Sequence, residues 1–132
     1  LDTGDRLLAD NPLTLESYAA YATMNDRFHA LIIEASGNRA LQRAIRLNDK
    51  QPFAPASAML PMQGSVALDR DWMLYAHRQH HMLFDALRSG EGARAQALAV
   101  EHTQVAQINM KLALDRRSES EQVMPGIRLV VG

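Results

Sequence analysis

The chain carries five histidines, His29, His77, His80, His81 and His102, and no cysteine. Disulfides, thiolate metal sites and a cysteine nucleophile are therefore excluded, and metal chemistry falls to imidazole nitrogen and to oxygen ligands. Helical phase sorts the histidines. Around His29, the residues Tyr18, Tyr21, Asn25, Phe28, His29 and Ile32 recur at i, i+3, i+4 and i+7 steps, which places His29 on an inward stripe. The residues Met73, Ala76, His80, Leu83, Phe84 and Leu87 do the same around His80, and Ala95, Leu98, Ala99, His102, Val105 and Ala106 around His102. A single core histidine is ordinarily structural and satisfied by one hydrogen bond. Three aimed into one small core are costly unless they share a partner, and a divalent cation held by neutral imidazoles is the commonest such partner.

Asn25 stands four residues before His29, the spacing at which two side chains of one helix reach one ion. Asp26 is the competing ligand: it is better charged, but its phase turns it toward the flank, so Asn25 ranks first. His77 and His81 form a second i, i+4 pair. They read first as a solvated or flanking pair beside the stripe, with a different metal site as the other reading.

Four helices must position these side chains. The first is expected over Leu15 to Ser36, with Thr14 as N-cap and Gly37 as C-cap. Asn38 caps a second helix that runs through Asn48. The stretch from Gln51 to Gly64 holds Pro52, Pro55, Pro61 and Gly64 and reads as a structured loop. A third helix is expected from about Asp69 to Arg88, closed by Ser89 and Gly90, and a fourth from Gly92 or Ala93 to about Arg117. Leu1 to Asn11 is short and polar, with only Leu7 and Leu8 for packing, while Ile127 to Val131 reads as a short strand or a strap. The fold expected is an all-α antiparallel bundle, in which ligand and metal sites are built from inward side chains on facing helices.

At 132 residues and 47% hydrophobic content, the chain is expected to form one domain over residues 1–132. Fourteen basic and 15 acidic residues leave a net charge of -1, which gives no surface suited to neutralising nucleic-acid phosphates. No apolar run of about 18 residues is present, so no membrane partner is expected. The absence of cysteine and of a signal peptide fits a cytoplasmic protein, and a start at Leu1 rather than Met suggests a fragment.

Asn25-Asp26-Arg27-Phe28-His29, then Glu34-Ala35-Ser36-Gly37-Asn38, then His80 with Asp85-Ala86-Leu87-Arg88-Ser89-Gly90-Glu91, and finally His102 form a series. From about Tyr18 to Ala106 it resembles the FCD domain, the C-terminal ligand-binding domain of GntR-type transcription regulators. The resemblance implies an antiparallel bundle in which an Asp or Asn and three histidines hold a divalent metal, with a small carboxylic acid effector completing the coordination. Carried over by position, the ligands are Asn25, His29, His80 and His102. Asn25 stands where many relatives have Asp, which removes a negative charge from the site and favours an anionic effector. Zinc or nickel leads among the metals that imidazole suits.

The resemblance further implies a homodimer whose two arrangements differ in effector affinity, and operator DNA bound only through an N-terminal winged-helix domain. That domain, and part of the first helix of the bundle, are expected to be missing from this chain. Asn109 lies one heptad after His102 and reads either as a hydrogen-bond donor to an effector or as an ordinary helix-end polar residue. The function expected is that of a sensor domain, most simply in a repressor, and not an enzyme. A three-histidine site with an open position is also how catalytic zinc is held, so a small metalloenzyme is the rival, although no Glu-x-x-His or His-Glu-x-x-His occurs. A metal-free dimerisation bundle is the third reading. Phe53, Met59, Met62 and Trp72 are expected to be core, with a place in the effector pocket as the alternative.

Overall fold

The structure is a computed structural model that describes residues 1–9, 14–50 and 66–117. The described residues form five helices and no strand: α1 (Asp2–Ala9), α2 (Leu15–Ala35), α3 (Arg39–Asn48), α4 (Val66–Arg88) and α5 (Gly92–Arg117). The Gln51 to Gly64 loop and the Ile127 to Val131 segment lie outside the described residues, as do Phe53, Met59 and Met62.

Local chemistry sets the ends of the helices. Thr14, extended at φ -94° and ψ 163°, accepts through its side chain from the Ser17 amide, and Ser17 Oγ accepts from the Thr14 amide at 2.8 Å. This reciprocal capping box satisfies two donors that the first turn would leave orphaned. Gly37, at φ 63°, turns the chain out of α2 in the left-handed region. Asn38 Oδ1 then accepts from the Ala40 and Leu41 amides at 3.1 and 3.0 Å and starts α3. At the end of α4, Gly90 at φ 72° donates to Leu87 O, and Glu91 donates to Ala86 O. These paired bonds close a Schellman turn, so α5 folds back antiparallel along α4.

The segment before Pro12 differs from expectation, because Asp2–Ala9 is a helix. Its own sequence is a poor nucleus for an isolated helix, and its order comes from packing. Leu8 is 1% exposed and joins Tyr21 and Met73 in one core cluster. Gly4, also buried, has no Cβ to hold α1 away from the His77 ring and Met24. Arg70 donates from Nη2 to Leu8 O at 2.8 Å, which satisfies a carbonyl at the C-terminal end of α1. Leu8 therefore meets Arg70 while Asp5 meets His77 and His81, so α1 runs antiparallel to α4.

A second apolar cluster joins Leu83 and Ala86 of α4 to Ala95 and Leu98 of α5, with Phe28 and Ile32 of α2 packed on it. Met73 and Leu83 belong to different clusters, and His77 and His80 fall between them along α4. The buried arc of α4 thus turns by roughly a third of a revolution, from a face toward α1 and α2 to a face toward α5. Phe84 and Leu87, expected on the inward stripe, are instead exposed at 48% and 45%. No described helix is long and apolar enough to cross a membrane.

Candidate metal centre

His29, His80 and His102, named from helical phase, come together, with one ring nitrogen of each lying within 4.8 Å of the others. His80 Nε2 is 3.1 Å from His102 Nε2. The His29 ring stacks on that of His102 at 5.3 Å between centroids and meets that of His80 edge-on at 5.1 Å. Phe28 lies over the His80 ring at 4.6 Å and fixes its plane from the α2 side. His80 is completely buried, and its Nδ1 and the Nε2 of His29 are buried without a hydrogen-bond partner.

Burial and mutual repulsion keep the cluster neutral. Desolvation, with His102, His29 and two further imidazoles adding to it, pushes the His80 pKa down to about 2. Desolvation and the His29 charge lower His102 to about 4. His29 is also lowered by burial, against the opposing pull of Asp26. Neutral imidazoles with inward lone pairs are the form that binds a divalent cation, and a buried His29 Nε2 without a partner is the atom such an ion would satisfy. The residues therefore fit the metal implied by the resemblance.

Asn25 is 5% exposed on α2, one turn before His29, whereas Asp26 is exposed. Asn109 lies in α5, and its side chain is outside the described residues. Trp72 is half-buried.

Two site residues were missed by sequence reasoning. Gln79 is buried on α4, and its Oε1 accepts from His102 Nδ1 at 3.1 Å. Its position beside His80 was the available signal. Asp5 was missed because α1 was not read as a helix. Its Oδ1 lies 3.1 Å from His77 Nε2 and 3.0 Å from His81 Nε2. His77, read first as part of a solvated or flanking pair, is buried at 3% exposure.

The FCD domain family matches residues 8–105, most of the chain, a span that holds all five histidines. The chain belongs to the FCD domain family. No curated protein and no solved structure matches it. In this FCD domain the three histidines come from α2, α4 and α5, so the cluster depends on all three helices.

Proposed function

We propose that this FCD domain is the effector-sensing and dimerisation domain of a bacterial GntR-family transcriptional regulator, most simply a repressor acting in the cytoplasm. In this reading Asn25, His29, His80 and His102 hold one divalent ion, zinc or nickel first, and a small carboxylic acid binds beside it. The observation that carries the proposal is the convergence of His29, His80 and His102 inside an FCD bundle. The ion would supply a Lewis-acidic anchor for the carboxylate. Neutral Asn25 leaves the donor set uncharged, so an anionic effector would offset the cation's charge. Asn109 is the proposed further polar contact to the effector.

Regulation then follows from linkage: an effector shifts the domain only by its differential affinity for two arrangements of a homodimer. Exposed apolar side chains on α4 and α5, including Met82, Phe84, Leu87 and Val100, support a second copy as partner. Operator DNA would be bound by a winged-helix domain outside these 132 residues.

The test is metal content after purification without added metal, with thermal melts of wild type and His80→Ala with and without chelator. The expected result is one bound ion per chain lost in the variant, a chelator-sensitive melt, and further stabilisation of the metal-loaded protein by a small carboxylic acid. A wild-type melt indifferent to chelator and to added zinc or nickel leaves a metal-free dimerisation bundle instead.

A further inference from the structure

Asp5, His77 and His81 form a second convergent donor set, separate from the three-histidine cluster. On α4, the i, i+4 pair His77 and His81 shares one face, while His80 is rotated by roughly 60° from His77 and roughly 100° from His81 about the helix axis. The two sets therefore open on different sides of α4. The His77 and His80 rings nonetheless touch edge to face, at 5.9 Å between centroids.

We propose that Asp5, His77 and His81 constitute a second divalent-cation site, which binds zinc and fastens α1 to α4. A single carboxylate oxygen, Asp5 Oδ1, meets both Nε2 atoms, at 3.1 Å from His77 and 3.0 Å from His81. Around a four-coordinate zinc with bonds of roughly 2.0–2.2 Å, neighbouring ligand atoms stand about 3.3–3.6 Å apart, so a shift of a few tenths of an ångström admits the ion. The two rings stand at 87° to each other, each directing its Nε2 to the same oxygen. One carboxylate and two neutral imidazoles give a singly negative donor set suited to a divalent cation. His77 lies against the core, whereas His81 and Asp5 are substantially exposed, which leaves the remaining coordination position to water.

The cradle is built by the backbone. Gly4, the residue before Asp5, is the point where α1 rests on the His77 imidazole, and a Cβ there would occupy the space of the ring. This close approach brings Asp5 to residues more than 70 positions away in the chain. Occupation of the site would order α1, beside the ring that contacts His80.

Metal-free protein is titrated with zinc(II), bound zinc is counted after equilibrium dialysis, and amide hydrogen exchange is followed in α1. Wild type is expected to bind two zinc ions per chain, and Asp5→Ala and His81→Ala one each. His102→Ala should lose the other ion and keep this one, so the two sites fail independently. Zinc should slow exchange in residues 2–9 of wild type and His102→Ala, and have no such effect in Asp5→Ala. Circular dichroism checks that each variant is folded. Unchanged zinc stoichiometry in folded Asp5→Ala and His81→Ala, with α1 exchange indifferent to zinc, overturns the proposal and leaves a hydrogen-bonded latch.

Discussion

Gln79 Oε1 lies 3.1 Å from His102 Nδ1, from the turn of α4 that also carries His80. An amide oxygen only accepts, so the shared proton belongs to His102 Nδ1, and the lone pair of His102 Nε2 points into the cluster, 3.1 Å from His80 Nε2. The neighbour of one histidine thus sets the tautomer of another on the facing helix.

Removing that acceptor while keeping the bulk should loosen the site. Gln79→Leu is expected to weaken zinc binding by roughly 10- to 100-fold, the usual effect of losing an outer hydrogen bond to a ligating histidine. Gln79→Glu should retain the affinity, because a carboxylate accepts from the same nitrogen. Competition with a chromophoric chelator measures both, and equal affinities in wild type and Gln79→Leu would remove Gln79 from the role.

Acid should destabilise the metal-free domain before its carboxylates titrate. The folded-state pKa values of His80 and His102 are depressed to about 2 and about 4, whereas an unfolded histidine titrates near roughly 6.5. Below about 6.5 the unfolded chain takes up protons that the folded chain refuses, so their contribution is present above that pH and declines as pH falls toward about 4. Each of these histidines contributes a slope approaching about 1.4 kcal/mol per pH unit. Urea midpoints in the presence of chelator should therefore fall between about pH 6.5 and 5. A flat or rising midpoint over that window contradicts neutral burial of the cluster.

The choice of Asn25 over Asp is open to a direct exchange. A unit charge about 4 Å from another contributes about 4 kcal/mol at an effective dielectric near 20, and burying a carboxylate takes back much of that. Asn25→Asp is accordingly expected to tighten zinc binding on the order of tenfold, about 1.4 kcal/mol, while lowering the stability of the metal-free protein. Calorimetric titration and melts with chelator read the two effects. Zinc affinity unmoved by the added charge would take residue 25 out of the coordination shell.

The bundle was legible wherever a residue type states its own backbone role. Thr14, Gly37, Asn38 and Gly90 mark helix ends through caps and left-handed turns, and those ends lie where expected. The clustering of His29, His80 and His102 was legible because helical phase survives tertiary packing. Helix α4 starts at Val66, three residues before the expected Asp69; Ser65, a residue type favoured at N-caps, stands just before it and was the signal passed over. Helix α1, by contrast, was hidden. Its order depends on Tyr21, Met73, His77 and Arg70, which are remote in sequence, so nothing local distinguishes Asp2–Ala9 from a polar arm. Phe84 and Leu87 fit the inward phase of α4, but phase cannot say which way the buried arc turns along the helix.

Two substitutions on α1 test whether packing, rather than intrinsic propensity, orders that helix. Leu8→Ala removes a fully buried side chain from the Tyr21 and Met73 cluster and should cost about 2–5 kcal/mol of stability. Gly4→Ala is the sharper case, because two effects oppose each other. Alanine favours a helix interior over glycine by about 1 kcal/mol, but its Cβ would overlap the His77 ring, which is buried and edge-on to Tyr21. Overpacking of this kind costs about 1–3 kcal/mol, so the steric effect should win by up to about 2 kcal/mol. Denaturant midpoints give both values. A Gly4→Ala protein more stable than wild type would mean that α1 does not rest on His77, and that its order is set by propensity alone.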